Sequence, residues 1–174
     1  MRILVLDNYD SFTYNIVHIL RELGGLEISV IKNDLIKIND VQSYDKIILS
    51  PGPSLPKDSG KMNELISNYY DSKPILGICL GHQAIAENFG GTLYNMEEPL
   101  HGVQTDIYLE DDYIFKGVES KIKACRYHSW SVLNEPFPEE LKITARDSDG
   151  VIMALSRKKF DLKGIQFHPE SIQT

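Results

Sequence analysis

Four short apolar runs, Arg2 to Leu6, Ile28 to Ile31, Lys46 to Leu49 and Ile75 to Ile78, recur through the first half of the chain with helical patterns between them. Runs of this length that alternate with segments of period 3.6 predict a parallel sheet buried under helices on both faces. Ile16, Val17, Leu20 and Leu23 share one helical face, and Met62, Leu65, Ile66, Tyr69 and Tyr70 share another. Gly24-Gly25 and Gly90-Gly91 read as helix stops, because glycine takes the left-handed conformation that a C-terminal cap requires. After about residue 92 short strand-like runs take over, at Gln104 to Leu109, Ile122 to Tyr127, Lys142 to Arg146, Val151 to Ser156 and Leu162 to Phe167. Asp147-Ser148-Asp149-Gly150 reads as a hairpin turn between two of them. The expected fold class is α/β: a doubly wound, mainly parallel sheet flanked by helices, with additional antiparallel strands from the second half. Strand order is not contained in these runs.

Composition narrows the functional classes. A chain of 174 residues that is 42% hydrophobic is one ordinary domain, residues 1–174, and buries roughly 70% of the surface that it exposes when unfolded, so it needs no staple. Two cysteines, Cys79 and Cys125, are too few for a disulfide framework and lack metal-binding spacing. No two histidines or cysteines share ligand spacing either, so neither a metal nor a cofactor is expected. No apolar run approaches a membrane span, and the N-terminal ILVL is too short for a signal peptide; a cytoplasmic protein that meets no membrane is the expectation. Eighteen Lys and Arg against 25 Asp and Glu leave a net charge of −7, which argues against nucleic acid. The longest basic run, Arg157-Lys158-Lys159, reads as a solvated strand end.

The chemistry concentrates at residues 74–83, PILGICLGHQ. An apolar strand ends in Gly-x-Cys-x-Gly and passes into a helical pattern over Gln83 to Phe89, the thiol form of a nucleophile elbow. At a helix start Cys79 feels the positive end of the macrodipole and free N–H groups, which favours the thiolate. The amide of Leu80 would face an oxyanion formed on an attacked carbonyl. Cys125, flanked by Ile122, Ala124 and Tyr127 with no glycine and no helix start, reads as a packing residue.

Such a nucleophile needs a base. Of His18, His82, His101, His128 and His168, His168 fits best. It follows an apolar strand, at the carboxyl end where open α/β sheets place their ligands, and Glu170, two residues on, can orient its ring. His82, three residues from Cys79, is expected to point away from the thiol or pack beneath it. Ser50-Pro51-Gly52-Pro53-Ser54 forms a rigid turn after a strand. There Gly52 lets a substrate approach its backbone N–H as a second oxyanion donor; the other reading is a plain rigid loop.

With these pieces the chain resembles the class I glutamine amidotransferases over nearly its whole length. The matching motifs are Pro51-Gly52-Pro53, GICLGHQ at 77–83, RYHSW at 126–130 and HPES at 168–171. The opening LDNYDSFTYN at 6–15 resembles the amidotransferase components of anthranilate and 4-amino-4-deoxychorismate synthases. The resemblance implies a flavodoxin-like glutaminase domain with a Cys79-His168-Glu170 triad and an oxyanion hole at Gly52 and Leu80. Substrate contacts are implied at Gly52, Gln83 and the backbone of Ser129 and Trp130. It also implies L-glutamine as substrate and, as partner, a chorismate-using synthase large subunit. Competing expectations are a free-standing thiol hydrolase acting on γ-glutamyl substrates and a catalytically inactive partner-binding subunit.

Three positions depart from the family pattern. Ser54 stands where Gly is frequent, Val103 follows His101-Gly102 where many relatives carry Lys, and Trp130 replaces a smaller aliphatic residue. The end at Thr174 leads to the expectation that a final C-terminal helix is missing.

Overall fold

A computed structural model describes residues 1–174. The first half lays down β1 (Arg2–Asp7), α1 (Thr13–Glu22), β2 (Glu27–Lys32), β3 (Lys46–Leu49), α2 (Met62–Tyr69), β4 (Ile75–Ile78) and α3 (Leu80–Asn88). The second half is β5 (Leu93–Leu109), β6 (Lys121–Val132), β7 (Leu141–Asp147), β8 (Ile152–Arg157) and β9 (Leu162–Ile165). All nine strands join one sheet in the order β2-β1-β3-β4-β9-β8-β7-β5-β6. β2, β1, β3, β4 and β9 pair parallel, while β8, β7, β5 and β6 continue the sheet antiparallel.

Strand periodicity explains why the sheet holds helices on both faces. Successive side chains point to opposite sides: Leu4 and Leu6 pack with α2 and α3, whereas Ile3 and Val5 pack against Val17 of α1. On β3, Ile47 and Leu49 join the α2 and α3 side, and Ile48 turns to the other. Each such aliphatic side chain contributes about 1.5–3 kcal/mol when fully buried. The antiparallel half shares the α1 face, where Ile107, Ala124, Ala145, Met153 and Ala154 gather with Ile78 and Ile165.

Several expectations shift in detail. Leu23 is not on the buried stripe of α1; the helix ends at Glu22 and Leu23 caps it, 72% exposed. α3 starts at Leu80, three residues before Gln83, because the elbow leaves no loop between strand and helix. β5 begins eleven residues before Gln104, in a stretch whose side chains are mostly exposed and so carry no apolar alternation. Arg157 corrects the reading of the basic run. Its guanidinium lies 4.3–4.7 Å from the ring centres of Tyr70, Phe89 and Phe160, in a cation–π box, and only Lys158 and Lys159 are exposed.

The last strand decides where the chemistry lies. β9 returns from the antiparallel half and inserts beside β4, with Ile78 opposite Ile165. Residues that follow β4 and β9 therefore emerge side by side at the carboxyl edge of the sheet, the edge where open α/β folds bind ligands.

Candidate active site

Cys79 sits between β4 and the first turn of α3 with φ 51° and ψ −98°. That is a conformation L-residues rarely adopt, and a strain of about 1–3 kcal/mol persists only where the surroundings enforce it. Here the backbone is pinned at both ends, by Cys79 N–H donating to Ile165 O at 2.8 Å and Gln83 N–H donating to Cys79 O at 3.1 Å. The flanking glycines are required by close approach. A Cβ on Gly77 would lie 2.4 Å from the backbone of Gly81, and one on Gly81 would lie 2.7 Å from Leu49.

His168 follows β9 and is 2% exposed. Its Nδ1 lies 2.7 Å from Glu170 Oε1. Its Nε2 is buried without a hydrogen-bond partner, and the titratable group that Nε2 faces is the Cys79 thiol. Burial alone would lower the pKa of His168, but Cys79 and Glu170 outweigh it and raise the value to about 10. Both neighbours thus favour the protonated imidazole. Phe12 and Tyr127 pack edge-on against the ring at centroid distances of 5.3 and 5.0 Å, and His168 N–H donates to Cys125 O at 3.0 Å.

The proline loop reaches the same place. Gly52 is packed so closely that a Cβ would lie 2.6 Å from Asn8 Cβ and from Leu80 Cδ2, so only glycine fits. Its N–H donates to no backbone carbonyl or side chain of the chain, and the N–H of Leu80, first residue of α3, has no acceptor within its own helix. The loop is anchored by Asn8, whose N–H donates to Ser50 Oγ at 2.9 Å and whose Nδ2 donates to Ser50 O at 2.8 Å. Ser54 takes φ 69°, the conformation that glycine would adopt freely.

Between these elements lies a cavity of about 230 Å3. Gly52, Cys79, Gln83, Ser129 and Trp130 line it, so five of the eight expected positions face one space, with Ser54, His101 and Tyr127 beside them. His168, Glu170 and Leu80 are buried and are not part of that lining. A wider depression of about 720 Å3 around Leu109–Ser120 holds no nucleophile beside a base. No group of three or more His, Cys, Asp or Glu side chains is placed to hold a metal ion.

Gln83 departs from a simple substrate contact, because its Nε2 already donates to Trp130 O at 2.8 Å and to Gln166 Oε1 at 3.2 Å. Only its Oε1 remains to meet a ligand. Gln166 escaped sequence reasoning, yet its Nε2 donates to Cys79 Sγ at 3.5 Å. The available signal was its position two residues before His168, directly after the strand β9 (Leu162–Ile165). His82 packs beneath the site as expected: it is fully buried against Gly164, and burial pushes its pKa down to about 4. Cys125 is buried and free, as is Cys79.

Residues 4–174 match the family model described as glutamine amidotransferase class-I. The chain is 44% identical over 174 residues to the aminodeoxychorismate/anthranilate synthase component 2 of Bacillus subtilis, covering 99% of this chain and 89% of that one. It is 45% identical over 175 residues to anthranilate synthase component 2 of Pyropia yezoensis, covering 99% and 92%. Among solved structures, a Thermoplasma acidophilum protein described as a candidate component of GMP synthase superposes with a TM-score of 0.89 at 28% identity, covering 100% of this chain and 86% of that one.

Proposed function

The chain belongs to the class I glutamine amidotransferases, and from that premise we propose that Cys79, His168 and Glu170 carry its glutaminase reaction and that the ammonia passes to a chorismate-using synthase subunit. The observation that carries the assignment is the pairing of a strained, helix-capping Cys79 with a buried His168 held 2.7 Å from Glu170.

Cys79 Sγ attacks the side-chain amide carbon of L-glutamine, and the oxyanion is held by the N–H groups of Gly52 and Leu80. The proton on His168 Nε2 goes to the departing nitrogen, so ammonia leaves and a γ-glutamyl thioester remains. Water then attacks the thioester, His168 takes its proton as base, and glutamate departs as the thiolate is regenerated. Glu170 keeps the ring oriented throughout. Gln83 hydrogen-bonds the bound glutamine, and the backbone of Ser129 and Trp130 contacts its α-amino and α-carboxylate groups.

The partner reading rests on the names of the relatives, which are components 2 of anthranilate and aminodeoxychorismate synthases. A single glutaminase domain over residues 1–174 suffices for this half-reaction, and the two unpaired thiols fit a reducing cytoplasm. The test is glutamate release from glutamine by the wild type and by Cys79→Ser, each with and without a chorismate-using synthase subunit. We expect release from the wild type, stimulation by the synthase, and loss of at least a thousandfold in Cys79→Ser. Equal release from both proteins would overturn the thiol mechanism.

A further inference from the structure

Ser129 faces the cavity from a stretch of β6 where sheet pairing breaks. Trp130 pairs with Asn95 and His128 with Leu100, so Ser129 has no partner across on β5. A backbone segment that must present fixed groups to a ligand cannot rely on a broken ladder for its position. What holds it here is a chain of buried side chains that neither the triad nor the oxyanion hole uses.

The chain starts at the β7–β8 turn. Asp147 Oδ1 accepts from the N–H groups of Asp149 and Val151 at 3.0 and 2.8 Å, while Oδ2 pairs with Arg126 Nη1. Arg126 and Asp147 are both almost fully buried. Arg126 Nε then lies 3.0 Å from His128 Nε2. An arginine Nε is always a donor, so His128 Nε2 must be the acceptor and the ring proton sits on Nδ1. That fixed tautomer donates from Nδ1 to Trp130 O at 2.8 Å. Gln83 Nε2 donates to the same carbonyl at 2.8 Å. Arg126, His128 and Trp130 alternate along β6, which places all three on one side of the strand.

We propose that Asp147, Arg126 and His128 form a buried positioning relay that locks the Trp130 carbonyl, and through it the Ser129–Trp130 wall that recognises the amino-acid end of the substrate. These are positioning residues: Asp147 and Arg126 lie outside the cavity, and His128 borders it with both ring nitrogens engaged by Arg126 and the Trp130 carbonyl. The proposal rests on the glutaminase reading and deepens it, because it assigns substrate affinity to a network that starts in a remote hairpin. Burial, with the Arg126 charge behind it, lowers the pKa of His128 to about 3, so the relay keeps one protonation state wherever the enzyme works.

Two substitutions separate the relay from mere packing. In His128→Gln the side-chain amide overlays Nε2, so it can still accept from Arg126 but loses the donor to Trp130 O. In His128→Asn the amide overlays Nδ1 and keeps that donor. On the full chain, His128→Gln should raise the glutamine KM roughly 10- to 100-fold and lower kcat less than about threefold, since a uniform binding contact is lost. His128→Asn, which keeps the donor to Trp130 O but gives Arg126 Nε no acceptor, should recover only part of the KM. Alkylation of Cys79 by 6-diazo-5-oxo-L-norleucine, which carries an amino-acid end, should slow in step with KM, whereas iodoacetamide, which carries none, should react at the wild-type rate.

A glutamine KM in His128→Gln within twofold of wild type, or His128→Asn as impaired as His128→Gln, overturns the relay. So that misfolding of a variant cannot mask the result, the His128 Nδ1–H resonance is followed by nitrogen-edited NMR in Cys79→Ser as glutamine is added. The relay requires a slowly exchanging, hydrogen-bonded proton whose signal moves on saturation, and an unmoved signal contradicts it. A wild type inert to both electrophiles would instead contradict the glutaminase reading itself.

Discussion

His168 and His128 are both buried within the same site, one after β9 and the other on β6, yet their surroundings drive them in opposite directions. His168 faces a thiol and a carboxylate and is raised to about 10 despite its burial. His128 falls to about 3, mainly because it is buried and further because the Arg126 guanidinium lies beside it. The contrast shows how one residue type serves two roles. Beside anions the imidazole becomes a proton carrier for chemistry; beside a buried cation it becomes a neutral hydrogen-bond part with a fixed tautomer. The division follows the sheet, with chemistry on the adjacent parallel strands β4 and β9 and recognition on the antiparallel wall.

The comparison breaks most severely at Asp147. Asp147→Asn leaves the Arg126 charge buried without its counterion and should cost about 3–5 kcal/mol of stability, read from urea unfolding. An unchanged midpoint would mean that the guanidinium finds water. On the other side, Glu170→Gln should lower kcat on the order of a hundredfold with little change in glutamine KM. It should also move the His168 titration down from about 10, followed by proton NMR.

The sign for stability follows from the same values. The folded pKa of His168 lies above the unfolded value of 6.5, so its contribution is complete below about pH 6.5 and is lost as pH rises through about 10. Glu170→Gln should therefore flatten the alkaline loss. His128 and His82 are lowered, so they oppose folding as pH falls below about 6.5, when the unfolded chain takes up protons first. The smallest effect is expected at Cys125. Cys125→Ala should cost about 1 kcal/mol through lost packing and leave glutamate release within about threefold, since the hydrogen bond from Cys125 to His168 is made by its backbone carbonyl.

The chemistry was more legible in the sequence than the recognition. The elbow could be read because its constraints are local: Gly77 and Gly81 bracket Cys79 within five residues, and the close approach that demands them lies in the same turn. His168 and Glu170 are likewise two residues apart. That His168 serves Cys79 was readable from its place at the carboxyl end of a strand and from the family resemblance, but the meeting itself depends on β9 inserting beside β4, a strand order that no local pattern encodes. The relay was illegible for the same reason. Asp147 carries a turn signal and Arg126 sits in an apolar strand, and nothing in either neighbourhood reveals that they pair across two strands. The opening LDNYDSFTYN marked the family without explaining itself. The fold gives the reason, since Asn8 anchors the proline loop, Phe12 packs on His168 and Asn15 Nδ2 reaches Glu170 O at 3.4 Å.

The two cysteines offer the most direct test of the central claim that the elbow, and not burial of a thiol as such, makes the nucleophile. Both are free and buried. Wild-type protein treated with 6-diazo-5-oxo-L-norleucine, with and without excess glutamine, is digested and the adduct located by mass spectrometry. The account predicts one adduct per chain, on Cys79, suppressed by glutamine, with Cys125 unmodified. An adduct on Cys125, or one on Cys79 that glutamine does not suppress, would contradict it.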